Sequence, residues 1–203
     1  MRSRIGITLL SLSCLAVGTG ARAAEPSKPA GAPPMDEMMA MMAKAATPGQ
    51  PHKLLARYVG DWTYTQKMWM APGQPPAESG GTMHAEPKMD GRYVEHTWKG
   101  SFMGAPFEGR GTEGYDNVSK QYVSIWIDNM GTGISNSTGT CDDGGKKCTY
   151  NATMNDPMSG GPTTMRSVIT WADGDSFTNE MYGKDPASGQ EMKMMEITAK
   201  RKK

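Results

Sequence analysis

The stretch RYVEHTWKG, residues 92–100, decides the architecture through its period. Read in steps of two, Arg92, Val94, His96 and Trp98 share one face, and Tyr93, Glu95, Thr97 and Lys99 share the other. That alternation belongs to a strand and not to a helix of 3.6 residues per turn. QYVSIWIDN, residues 121–129, repeats it: Tyr122, Ser124, Trp126 and Asp128 oppose Gln121, Val123, Ile125 and Ile127. Neither face is purely polar, so one is expected to cover a core and the other to line a cavity that tolerates polar groups. The period leaves open which face is which.

The same texture runs outward from Asp61 to the end of the chain. Short runs rich in Thr, Val, Tyr and Trp are divided by Gly, Asp and Asn, and predict about ten strands, near 61–70, 79–87, 92–99, 106–114, 121–128, 133–141, 148–154, 163–171, 176–182 and 190–201. Asp90-Gly91, Asp173-Gly174 and DDGG (142–145) are expected to supply the positive φ angles of tight hairpin turns. Regular hairpins without intervening helices predict an all-β, antiparallel up-and-down barrel, whose closure removes exposed edges.

Upstream of Asp61 the pattern is helical. PPMDEMMAMMAKAATPG (33–49) places Met35, Met38, Met39 and Met42 at i, i+3, i+4 and i+7, with Asp36 and Glu37 in the first turn and Lys44 in the last. This helix is expected to lie against the barrel or its mouth, Met being a good helix former and an adaptable packing residue. The competing reading is that the thioethers capture Cu(I), although no His or Cys accompanies them. Pro51 and Gly60 bracket a second short helix with Leu54, Leu55, Tyr58 and Val59 on its buried side.

Residues 1–23 read as a secretory signal, with Arg2 and Arg4, an apolar run from Ile5 to Gly18 and an A-x-A site ending at Ala23. Residues 24–34 form a flexible Pro/Ala-rich leader, and 35–203 a single domain. The expected location is the periplasm or the exterior, with no integral membrane segment left after cleavage. Of 22 Lys and Arg, three precede residue 24 and no acid does, so 19 bases face 21 acids, a net of about −2. That balance carries no footprint for nucleic acid. Cys141 and Cys148 flank a turn and are expected to form a disulfide in an oxidising compartment.

No catalytic motif is recognisable, and no metal ligand set or cofactor is expected. GRGTEG (109–114) spells the dinucleotide fingerprint, but a turn and a strand follow it where a helix is required, so its glycines are read as letting a barrel strand bend. The candidate ligand-binding residues are Arg92, His96, Trp98, Glu113, Tyr115, Trp126 and Asp128, polar groups converging among aromatics. The expected partner is a small, apolar molecule of unspecified identity. An enzyme using His96 and a carboxylate as acid and base is the alternative, and the pattern does not specify oligomeric state.

Gly60-Asp61-Trp62, opening the first strand after a short helix, resembles the G-x-W signature of the lipocalin-like calycin superfamily. The resemblance implies that Trp62 seals one end of the barrel and that Arg201 packs over it. KAATPGQPHKLLARYVGDW (44–62), DGRYVEH (90–96), GAPFEGRGTEGYDN (104–117) and SIWIDNMGTG (124–133) are similar to the bacterial family DUF1579, over Met35 to Lys203. This implies a calycin-type barrel and no established activity. Haem-binding relatives of the nitrobindin kind use a late histidine, and none follows His96 here. The R-x-Y of fatty-acid-binding proteins is missing from EMKMMEITAKRK (191–202).

Overall fold

The computed structural model describes residues 31, 33–156, 160–185 and 187–203. The signal segment and nearly all of the leader lie outside these residues. Two helices, α1 (Met35–Ala46) and α2 (Gln50–Leu55), and a 3-10 turn (Ala56–Tyr58) precede ten strands. These are β1 (Gly60–Met68), β2 (Ala77–Lys88), β3 (Tyr93–Phe102), β4 (Ala105–Asp116), β5 (Gln121–Asp128), β6 (Ser135–Cys141), β7 (Lys147–Asp156), β8 (Gly161–Trp171), β9 (Ser176–Lys184) and β10 (Glu191–Arg201). Each pairs antiparallel with its sequence neighbour, and β1 pairs with β10 to close the barrel. No helix among the described residues is long and apolar enough to cross a membrane.

The hairpin turns follow their local chemistry, with one exception. Met89, Asp90 and Gly91 all take positive φ, as does Gly145 in the DDGG turn. Asp173-Gly174 does not. There the Asp173 carboxylate closes the turn, accepting from the Asp175 amide at 2.8 Å and the Ser176 hydroxyl at 2.9 Å, a side-chain turn that needs no left-handed residue.

One end of the barrel is sealed. Trp62 is fully buried and donates its indole N–H to the Tyr58 carbonyl at 2.8 Å. Trp171 and Phe177 pack edge-on around it, and the Arg201 guanidinium lies 4.1 Å over its ring. Arg201 also donates to the carbonyls of Val59, Arg57 and Gly174 and pairs with Asp175. One side chain thereby ties the last strand to the 3-10 turn and to the β8–β9 turn. Gly60 is required beneath it: φ is +120°, and a Cβ would sit 2.9 Å from Arg201 Nη1.

Leu55 and Tyr58 are buried in this cap, with Leu54 and Val59 half-buried. The expectation that α1 packs against the barrel is overturned. No residue of α1 is buried, and Met35, Met39, Met41 and Met42 are all at least half exposed. The helix is held only at its C-terminal end, where Arg92 and Asn117 donate to the carbonyls of Ala46, Ala45 and Thr47.

The lumenal candidate site

The register settles which face points inward. Tyr122, Ser124, Trp126 and Asp128 of β5 face the lumen with Val94, His96 and Trp98 of β3, whereas Ile125 and Ile127 lie on the outer wall, nearly half exposed. The sealed end is filled by its own side chains. Toward the other end the lumen-facing residues are only half-buried, among them Trp98, Trp126, Met165, Met181 and Met195.

One in-register row brings small side chains beside a carboxyl group. Glu113 of β4 stands beside Ser124, then Ser137, Ala152 and Met165 on successive strands β5 to β8. Three consecutive small side chains, Ser124, Ser137 and Ala152, thus stand beside the Glu113 carboxyl. The row above it carries His96, Gly111 and Trp126. Farther round, Met68, Met195 and Met181 are direct partners on β1, β10 and β9. The open half of the lumen thus has an aromatic wall and a thioether wall, both suited to polarisable apolar surface.

GRGTEG finds its explanation here. Beyond the reading that its glycines let the strand bend, all three make room for rings, Gly114 for Tyr93 on the outer face and the other two within the lumen. A Cβ on Gly111 would sit 2.2 Å from His96 Cε1, and one on Gly109 would sit 2.3 Å from Trp126 Cζ2. Glycine lets both rings lie flat across β4, with His96 6.1 Å from Trp98 and 6.0 Å from Trp126 between ring centroids. Phe107 stacks on the far side of Trp126.

Hydrogen bonding then sets the chemistry. The Trp98 indole donates to His96 Nδ1 at 2.8 Å. An indole N–H is a donor only, so Nδ1 is the acceptor and the neutral imidazole carries its proton on Nε2. Nε2 lies 3.7 Å from Glu113 Oε1, with His96 9% and Glu113 12% exposed. The other carboxyl oxygen, Oε2, is fully buried and receives no hydrogen bond. Burial first, and the nearby Glu113 charge second, hold the Tyr58 and Tyr150 hydroxyls well above the ordinary tyrosine value, yet neither donates to Oε2. Across the barrel, Asn179 Oδ1 on β9 is a second buried acceptor without a donor.

The remaining candidates serve other purposes. Asp128 accepts from the Trp126 indole at 2.8 Å and from the Met130 amide, so it fixes the aromatic wall. Tyr115 packs edge-on against His52 and Tyr122 beside α2. Arg92 does not line the lumen. It precedes β3, and its guanidinium is spent on the Ala46 and Met89 carbonyls. Asn179 carried no local signal: the period leaves a strand's inward face open, and only the cross-barrel register reveals this one. Cys141 and Cys148 are direct register partners joined by a disulfide.

A cavity of about 260 Å³ lies between α2 and the β6–β7 turn, lined by Leu54, Lys120 and Asp142 and by Tyr115 and Tyr122 from the barrel's inner face, among others. Its Asp142 carboxylate is already taken by the Lys146 and Lys147 amides. A smaller one, of about 80 Å³, sits at the mouth beside Gln66, Met68 and Ser79.

Fold and site together define a closed ten-stranded barrel, capped at one end, whose half-open lumen is lined by aromatic and thioether side chains around one buried carboxyl group. Residues 47–201 match the family described as "Protein of unknown function (DUF1579)", and the chain belongs to that family. The match begins at Thr47 and leaves α1 outside it. Among solved structures, the S-type phycobiliprotein lyase from Guillardia theta is 10% identical, with 80% of this chain and 97% of that one covered and a TM-score of 0.52. A redesigned beta barrel is 15% identical over 75% of this chain and 95% of that one, with a TM-score of 0.39. No curated protein matches the sequence.

Proposed function

We propose that this is an exported barrel that binds or carries a small, largely apolar molecule in the open half of its lumen. The observation that carries the reading is the half-buried aromatic wall of Trp98, Trp126 and Phe107, next to a row of small side chains, Ser124, Ser137 and Ala152. Concave apolar surface with a few convergent polar groups is the general form of a small-molecule site. The likeness to the phycobiliprotein lyase supports the fold alone. Binding is favoured over acid–base catalysis because His96 has one ring nitrogen bonded to Trp98 and the other turned toward Glu113.

The test is native mass spectrometry of protein purified gently from its own host. An added organic mass that disappears in Trp98→Ala and Trp126→Ala supports the reading. A bare polypeptide mass, with no change in tryptophan fluorescence across a panel of apolar aromatics, overturns it.

A second reading rests on a separate observation, that α1 buries none of its residues. All five of its large apolar side chains are methionines. Leu would serve an apolar contact equally well, so the constant feature is the thioether, a ligand suited to Cu(I). Replacing Met38, Met39 and Met42 with Leu is expected to remove Cu(I) binding measured by chelator competition. Unchanged affinity would eliminate this reading.

A further inference from the structure

We infer that the lumenal ligand presents a hydrogen-bond donor, an amine or a hydroxyl, to Glu113 and that carboxylate ligands are rejected. This rests on the lumenal reading above and names the chemistry of that ligand's buried end.

The argument begins with what the lumen lacks. The alternation places every described Lys and Arg of the ten strands on the outer face, except Arg201 at the sealed end. Arg201 is fully occupied by the cap, with three carbonyls and Asp175 on its donors. Among the described residues, no Lys or Arg of the strands is therefore positioned to receive an anionic ligand within the lumen, where His96 also stands. On that imidazole the Trp98 indole N–H occupies Nδ1, and Nε2 is turned toward the Glu113 carboxyl at 3.7 Å.

Among the described residues, the two buried side-chain polar atoms left without a partner are both acceptors. Glu113 Oε2 is buried and unpartnered, and Asn179 Oδ1 is the same on the strand diametrically opposite in the ten-strand ring. A buried acceptor without a donor is costly, more so in a carboxyl group. A donor on a ligand relieves that cost, whereas a ligand carboxylate would add repulsion to it. Row geometry puts small side chains beside Glu113, since Ser124 and Ser137 are its neighbours on the next two strands. The rings of His96 and Trp126 lie directly above, where an apolar body attached to the donor would rest.

The test uses three matched probes that share a naphthalene ring: 2-(1-naphthyl)ethylamine, 2-(1-naphthyl)ethanol and 1-naphthylacetic acid. Each is titrated by calorimetry into the wild-type protein and into Glu113→Gln, with circular dichroism confirming that the variant is folded. The amine or the alcohol is expected to bind at least about tenfold more tightly than the acid, the scale of one hydrogen bond to a charged group. In Glu113→Gln, the amine's advantage over the acid is expected to fall by a similar factor while the naphthalene contribution persists. Equal binding of all three probes, lost in Trp126→Ala, would overturn the donor inference and leave the lumenal site standing. Binding of none would overturn the lumenal reading itself. Tighter binding of the alcohol than of the amine would identify a neutral hydroxyl as the donor, and the reverse a cationic amine.

Discussion

Gly111 and His96 face each other across the β3–β4 ladder so closely that a Cβ on Gly111 would sit 2.2 Å from the imidazole Cε1. The position of the histidine, and with it the Trp98 hydrogen bond, depends on a missing methyl group one strand away. Gly111→Ala is expected to displace the ring and cost about 1–3 kcal/mol of stability, as overpacking does. The control is Gly133→Ala, where a Cβ meets nothing within 4 Å and the change should stay within about 0.5 kcal/mol. Urea denaturation separates the two. A changed tryptophan emission in Gly111→Ala alone would report the moved indole.

Arg201 should be the most sensitive charged residue of the cap. Its replacement by Met leaves the carbonyls of Val59, Arg57 and Gly174 without their donor and uncovers Trp62. A loss of about 2–4 kcal/mol is expected from such partly buried, charge-assisted bonds. Lys cannot reproduce a planar fork with several fixed donors, so Arg201→Lys should recover less than half of that loss. Full recovery would mean that charge alone is what the cap requires.

The disulfide closes a short loop, with Cys141 and Cys148 seven residues apart. Loop-closure entropy for a ring of that size predicts a loss of about 2 kcal/mol when both become Ser. Denaturation of the double variant and of the reduced wild type should agree. A reduced wild type as stable as the oxidised form would show that the hairpin, pinned by Asp142 on the Lys146 and Lys147 amides, holds its register unaided.

His52 makes stability fall with acidity. It is buried, and its Nδ1 accepts the Gly49 amide at 3.0 Å. Burial is the leading cause that holds its pKa below the usual histidine value, a hydrogen bond with the Tyr115 backbone opposing it and the Arg92 charge adding to it. A depressed pKa means that the unfolded chain takes up the proton first as the pH drops. The contribution is complete above the unfolded value of about 6.5 and is lost as the pH falls from there through the lower folded value. Urea midpoints at pH 7.5 and 5.5 should differ in the wild type and converge in His52→Gln. An identical pH dependence in both proteins would assign the effect to another group.

The methionine helix should be dispensable for stability. Changing Met35, Met38, Met39, Met41 and Met42 together to Gln removes no buried contact, and the unfolding midpoint is expected to shift by no more than about 0.5 kcal/mol. A larger loss would show that the stripe packs against the barrel after all.

How much of this was legible before folding is seen in particular residues. Ten strands, their antiparallel order and their approximate bounds could be read because alternation and turn chemistry are local, repeated at every hairpin from Asp90-Gly91 to DDGG. The Trp62 and Arg201 positions were legible through resemblance, since they flank the first and last strands. The α1 helix was legible as a helix, but not as an unpacked one. Amphipathicity records that a face is apolar and not what meets it, and here Arg92 and Asn117 hold the helix by its end while none of its residues is buried.

The site divides the same way. Strand period grouped His96 with Trp98, and Trp126 with Asp128, because residues two apart share a face in any strand. It also grouped Arg92 with them, and failed there because the strand begins one residue later, at Tyr93. The inward direction of each face, the room that Gly109 and Gly111 make for two rings, and the isolation of Glu113 Oε2 opposite Asn179 came only with closure of the barrel. These are relations between strands far apart in the chain, and register across ten hydrogen-bonded ladders is what brings them together.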